Sequence, residues 1–338
     1  MKKNTLLQIV IITLLILWFN LPGAKRAVAA TVIKVSLITP VGSAWTNALH
    51  QMAAKVEQRT GGEVEFKIYA GGISGDETDV LRKMRANRIH AAGFSGVGLG
   101  ILLPQVRILE APLLYRNYDE IDRVKEALSP VFQTELNKKG YILLGFAEAG
   151  FVRFFSKVQM TGPQNFKPLK MWVWKDDPVA KNSLEQLGIN TYPLHLTDVN
   201  TGLETGMINS FYSPPLAAIA FQWYAKIKYM LDYPMVNSTG AFVIKKTTFA
   251  RLSTQNQEIL RQESDQFCAE LIRQARRQNE ESLDVLREVG ITFETPSAQQ
   301  IALFEDSARK IYDSSIDRLY SKALFDKVNA IIAAYRAE

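Results

Sequence analysis

The sequence predicts an α/β fold built as two similar halves, with one long helix running across both. Three observations carry this. A β-α-β-α-β order is legible over residues 31–94 and again over 141–212, and such alternation makes mostly parallel sheets covered by helices. From Ser253 to Glu288 nothing breaks a helix, with Ser253 as N-cap and Gly290 as stop. At 1.5 Å per residue that segment reaches roughly 50 Å, longer than either half.

In the first half, Thr31 to Thr39 alternates Ile33, Val35 and Leu37 against Val32, Lys34 and Ser36 and reads as a strand, broken at Pro40-Val41-Gly42. Ser43 caps a helix over Ala44 to Arg59, with Trp45, Leu49, Met52, Ala53 and Val56 at helical spacing, and Gly61-Gly62 ends it. Val64 to Tyr69 is the second strand, Glu77 to Asn87 a helix opened by the loop Gly71 to Asp76, and Ile89 to Phe94 the third strand. In the second half, Tyr141 to Ala147 is a strand, followed by Gly150 to Ser156. Pro168 then leads into Met171-Trp172-Val173-Trp174. Strand geometry puts both indoles on one face, with Met171 and Val173 on the other. A helix over Asp177 to Leu187, an extended Thr191 to Leu194, a helical Thr197 to Thr205 and a strand Met207 to Tyr212 follow. Two helices, Ser297 to Lys322 and Leu324 to Arg336, close the chain.

Residues 1–30 stand apart from this pattern. Lys2 and Lys3 precede an apolar run from Leu6 to Phe19, and Ala27-Val28-Ala29 forms a small-residue cleavage site. This is the layout of a signal peptide cleaved near Ala29 or Ala30. The run falls short of the roughly 20 residues of a spanning helix. The expected destination is therefore the periplasm. Four of the 40 basic residues and none of the 34 acidic ones lie in residues 1–30. Removing that stretch leaves a basic excess of two, so the charge gives no support for nucleic-acid binding. Cys268 is the one cysteine, which excludes an intrachain disulfide and a cysteine metal site.

Ordered segments along the rest of the chain carry a resemblance. They are Gly42-Ser43-Ala44-Trp45, Arg59-Thr60-Gly61-Gly62, Tyr69-Ala70-Gly71-Gly72, Leu109-Glu110-Ala111-Pro112-Leu113-Leu114-Tyr115-Arg116, Gly150-Phe151, Lys167-Pro168-Leu169-Lys170, Leu203-Glu204-Thr205-Gly206-Met207-Ile208 and Leu252-Ser253 to Leu260. In this order the chain resembles the DctP-type solute-binding subunits of tripartite ATP-independent periplasmic (TRAP) transporters. The resemblance implies a bilobed periplasmic-binding-protein fold: domain I from 31–149 and 238–277, domain II from 150–237 and 278–338 with the C-terminal helices. It also implies a ligand held between lobes that close by a hinge, and delivery to a small and a large membrane subunit for ion-coupled uptake.

Three departures bear on the ligand. Typical members read Gly-Phe-Arg-x-Phe-Thr-Ser, and Val152 stands at the arginine here, with Arg153 one residue along and pointing the other way. Typical members read Leu-Lys-(Ile/Met)-Arg-Val, whose arginine clamps a substrate carboxylate; Trp172 stands there. The family's Glu-Asn pair before proline is Tyr212-Ser213. All three changes remove charge or polarity. A carboxylate buried without its cation costs several kcal/mol, so the expectation is a hydrophobic or amphipathic ligand. The chain looks like the arginine-lacking subgroup associated with a periplasmic tetratricopeptide-repeat protein.

The candidate ligand-binding residues are Trp172, Val152, Phe151, Tyr212, Trp45, Trp174 and Ser213, then Phe94, Phe146 and Glu148. Core packing is the competing role for each aromatic, and a surface ion pair for Glu148. Gly96-Val97-Gly98-Leu99-Gly100 lacks the spacing of a dinucleotide fingerprint, and Gly71 to Asp76 lacks the Gly-Lys-Ser/Thr end of a phosphate loop. His50, His90 and His195 show no metal-ligand spacing and no nucleophile elbow. Asp176-Asp177 reads as a helix cap and Asn237-Ser238-Thr239 as a chance sequon. The expectation is a binding protein, with no enzyme activity and no cofactor. Two alternatives to the TRAP receptor for an apolar solute stand beside it: a periplasmic lipid or hydrophobe chaperone working with a protein partner, and a small organic acid receptor with an atypical clamp.

Overall fold

In the computed structural model, residues 30–338 are described, and the leader expected from the sequence lies outside them up to Ala29. The first three strands form as read: β1 (Thr31–Ser36), β2 (Val64–Tyr69) and β3 (Ala91–Ser95). Both β2 and β3 run parallel to β1. Between them lie α1 (Ala44–Arg59) and α2 (Glu77–Arg85), capped by the side chains of Ser43 and Asp76. Next come α3 (Gly96–Leu102), a 3-10 turn over Pro104–Glu110, and α4 (Tyr118–Lys138).

β4 (Tyr141–Ser156) is one strand of 16 residues, where the sequence suggested two pieces. Beyond it come β5 (Lys170–Trp174), α5 (Pro178–Gln186), β6 (Asn190–Leu194), α6 (Val199–Thr205), β7 (Ser210–Ser213) and α7 (Pro215–Ala220). β6 and β7 both run parallel to β5. The chain then returns through β8 (Tyr229–Lys245), 17 residues long and antiparallel to β4. The order is β2-β1-β3-β8-β4-β7-β5-β6. Two three-stranded parallel groups thus flank one antiparallel pair, and this gives the bilobed α/β architecture.

After the short α8 (Lys246–Phe249) comes α9 (Thr254–Glu288), 35 residues capped by Ser253 and followed by Gly290 at φ +87°. Its Ile259, Leu260 and Cys268 enter a first-lobe core with Val35, Leu49 and Phe242. Its Leu283 and Leu286 enter a second-lobe core with Phe155, Trp172 and Phe211. The helix therefore belongs to both lobes. Gly145 makes the close approach possible, because a Cβ there would lie 2.6 Å from the Cys268 Sγ. At the crossing, Asn279 of α9 donates to the Ala149 carbonyl at 2.7 Å and accepts from the Leu216 N–H at 3.0 Å.

β9 (Thr292–Glu294) adds to β8, and α10 (Ala298–Ser315) starts at a capping box of Ser297 and Gln300. α11 (Lys322–Arg336) packs back on α4: Val328 and Ile332 join the core of Ile121, Val124 and Leu128, and Arg336 pairs with Glu120 at 2.8 Å. The helix that the sequence reading grouped with domain II thus touches first-lobe residues.

Candidate functional site

Between the lobes lies a cavity of about 440 Å³ with a mostly apolar lining. β5 supplies one wall. Met171 and Val173 point into a separate core with Phe166 and Leu184, while Trp172 and Trp174 share the opposite face, as strand geometry requires. Trp172 stacks on Tyr212 with ring centroids 5.3 Å apart and meets Trp223 edge-on at 5.3 Å. Its Nε1–H donates to the Leu194 carbonyl at 3.1 Å, so its polar tip is satisfied within the lobe and its body forms the wall. At 3% exposure, Trp172 is both core and lining, so the two roles set against each other in the sequence coincide.

Val152, Tyr212, Ser213, Trp45 and Phe94 also line the cavity. Arg153, one residue beyond Val152, points away and pairs with Asp232 at 3.1 Å. Phe151, Phe146 and Glu148 are not among the lining residues. Phe151 packs on Tyr118 at 4.9 Å and Phe146 on Phe132 at 6.1 Å. Glu148, fully buried, pairs with Lys125 of α4 at 3.1 Å and Arg276 of α9 at 2.6 Å. β4 is bulged between Glu148 and Gly150. These side chains serve the packing of α4 and α9 against β4, neither the cleft nor the surface.

Charged groups that the sequence reading left unassigned also reach the cavity. Arg107 donates through Nη2 to both oxygens of Asp177, at 3.0 and 3.1 Å, and its Nη1 lies 3.2 Å from Glu110. Asp177 caps α5 as read, accepting from the N–H groups of Val179 and Ala180, and also ties the second lobe to the first. Burial alone would lower the Arg107 pKa, but Asp177 and Glu110 reverse that and hold it up. Burial pushes Glu110 up to about 7 against the pull of Arg107. Glu77 also reaches about 7 by burial, although Ser95 and Gly98 donate hydrogen bonds to it. The clue in the sequence was Arg107 and Glu110 three residues apart inside an apolar run, since charges enclosed there must pair.

A second tie crosses the cleft at Asp76. Its carboxylate caps α2 through the Glu77 N–H at 2.7 Å. From the other lobe it accepts the Trp174 Nε1–H at 2.9 Å and the Leu196 N–H at 3.3 Å, with His195 Nδ1 at 3.0 Å. Asn237 and Thr239, read as part of a chance sequon, are buried on β8 and line the cavity. Among the described residues no group of three or more histidine, cysteine or carboxylate side chains has the geometry to hold a metal ion.

A mostly apolar, aromatic-walled cavity between two lobes is an arrangement for capturing a small molecule. The family model of the bacterial extracellular solute-binding proteins, family 7 (DctP), matches residues 35–319. The chain belongs to this family. Among curated relatives, a solute-binding protein of Verminephrobacter eiseniae is 27% identical over 237 residues, covering 69% of this chain and 70% of its own. The sialic acid-binding periplasmic protein SiaP of Vibrio cholerae is 21% identical over 302 residues, covering 88% and 93%. Among solved structures, a TRAP periplasmic solute-binding protein of Ralstonia eutropha with bound (S)-2-acetolactate superposes with a TM-score of 0.84 at 20% identity, covering 90% of this chain and 99% of that one. The fold is shared, and the resemblance read from the ordered segments is borne out at the level of the family. None of these matches singles out the arginine-lacking subgroup.

Proposed function

We propose that this protein is the periplasmic receptor of a TRAP-type transporter, that it binds a hydrophobic or amphipathic small molecule between its lobes, and that it hands this molecule to the small and large membrane subunits. One observation carries the choice of ligand. Trp172 stands in an indole–phenol stack at the position where the family's typical motif has its clamp arginine, and Arg107, the one guanidinium among the lining residues, is held by two carboxylates. An incoming carboxylate would meet a guanidinium whose Nη1 and Nη2 are already engaged by Glu110 and Asp177, with Nε alone unpartnered, in an otherwise apolar wall, and burying a charge so poorly paired costs several kcal/mol. Apolar contact gains about 0.8 kcal/mol per buried CH₂. Membership of the arginine-lacking subgroup and a tetratricopeptide-repeat partner belong to the same proposal, and neighbouring genes for membrane subunits would separate it from a transporter-free chaperone.

The test is direct binding after unfolding and refolding to remove any carried molecule. The expected result is micromolar affinity for apolar or amphipathic compounds and none for succinate, sialic acid or uronates. Micromolar affinity for such an acid, lost in Trp172→Ala, would overturn the proposal. A second reading, a small organic acid receptor with a displaced clamp, draws on Arg107, whose Nε is buried without a hydrogen-bond partner among the described residues. It requires acid binding that disappears in Arg107→Met.

A further inference from the structure

The cavity wall holds polar atoms that the fold leaves unused. Asn237 is 1% exposed and Thr239 is 2% exposed, and both line the cavity. Among the described residues neither the Oδ1 nor the Nδ2 of Asn237 has a hydrogen-bond partner, nor has the Thr239 Oγ1. Buried polar side chains are satisfied in the great majority of cases, so each exception calls for an explanation. These two are neighbours on one face of β8, at alternate positions of the strand. They sit where β4 opposite is bulged between Glu148 and Gly150. Thr239 is connected to the charged group as well: its N–H donates to Glu110 at 2.8 Å, and Glu110 in turn faces Arg107 at 3.2 Å.

The chemistry of these atoms restricts what can satisfy them. An amide side chain offers a carbonyl acceptor and an NH₂ donor side by side, and a hydroxyl adds one of each. The matching group presents a donor and an acceptor on adjacent atoms. A full negative charge finds only a committed cation among the described residues of this wall, because the charge of Arg107 is balanced by Asp177 and Glu110 at its two Nη atoms and its Nε alone lacks a partner. An ammonium group offers donors alone and would leave the Asn237 Nδ2 unmatched.

We infer that Asn237 and Thr239 form a head-group subsite for an uncharged group carrying a hydrogen-bond donor beside an acceptor, of the carboxamide type, while the Trp172–Tyr212 wall takes the apolar body. The inference rests on the amphipathic-ligand reading and refines it.

Three probes share one tail: 3-phenylpropionamide, 3-phenylpropionate and 3-phenylpropylammonium. Their affinities are measured by calorimetry on stripped wild type, Asn237→Leu and Thr239→Val, each checked for a native circular dichroism spectrum. The expected result is at least tenfold tighter binding of the amide than of either charged probe in wild type. Asn237→Leu should erase that preference, and the near-isosteric Thr239→Val should reduce it severalfold. Equal binding of all three probes, or an amide preference unchanged in both variants, overturns the subsite and leaves the amphipathic reading standing. Tightest binding of the carboxylate, lost in Arg107→Met, overturns both. Binding of no probe to wild type, with extraction of purified protein from its own cells yielding a charged solute, also overturns both.

Discussion

Glu77 and Glu110 give the cavity a pH dependence that ordinary surface carboxylates would not. Burial raises both from 4.5 to about 7. The folded protein therefore holds protons between pH 4.5 and 7 that the unfolded chain has released. By linkage, stability is greatest at the acid end of this window and falls as pH rises through 7. For Glu77, which has no cationic partner among the described residues, the loss is on the order of 3 kcal/mol. Glu120 and Asp122, whose pKa values lie below the ordinary range, act with the opposite sign in more acid solution, and His90, lowered by burial, offsets part of the decline inside the window. Chemical denaturation of wild type between pH 5 and 8 should show stability declining, and Glu77→Gln should flatten that decline. A stability that rises over this window in wild type would contradict the burial of both groups. The face of Trp172 was legible in the sequence, because alternation with Val173 sends the two side chains into separate cores. The role of Asn237 was hidden because a lone polar residue in a strand gives no sign of whether its side chain finds a partner.

At the scale of elements, the contact between β4 and α9 depends on Gly145. A side chain there would press on Cys268, with its Cβ 2.6 Å from the sulfur and 2.9 Å from the Cys268 Cβ. Gly145→Val should destabilise the protein by about 1–3 kcal/mol, the usual result of overpacking a filled core, read as a lower urea midpoint. Gly145→Val combined with Cys268→Ala should recover part of the loss; no recovery would place the strain elsewhere. The same region shows what the sequence could and could not disclose. α9 was legible to within a residue, because Ser253 and Gly290 mark its ends and nothing between them breaks it. β1, β2 and β5 were legible from alternation. β8 was not: it carries Pro234, it is buried on both faces over Ala241–Ile244, and it faces a partner with three register shifts, so its apolar pattern never alternates cleanly. α4 was missed as well, with Pro130 inside it masking an otherwise helical run.

At the scale of the whole molecule, the lobes are held together by more than the strands that cross between them. Asp76 reaches Trp174, His195 and Leu196, and Arg107 reaches Asp177, each contact joining one lobe to the other. A receptor whose closed state is stabilised by its own contacts has a larger fraction poised to hold ligand, and apparent affinity scales with that fraction. Asp76→Asn keeps an oxygen for the α2 cap but loses the charge that Trp174 and His195 face. In that variant, small-angle scattering of ligand-free protein should give a larger radius of gyration, and ligand affinity should fall about tenfold. An unchanged radius would mean that the hinge alone sets the closure. The long helix and the returning C-terminus carry one more consequence, for the order in which the chain can fold. Each of the four hydrophobic cores contains side chains from beyond residue 258: Ile259 and Leu260 in one, Leu283 and Leu286 in another, Phe304 in the third, Val328 and Ile332 in the last. A chain emerging from its N-terminus therefore has no complete core to collapse onto until most of it has been made. The first core closes only once Cys268 has been made and the last only once Ile332 has, so most of the chain can pass through a narrow channel before any core is complete.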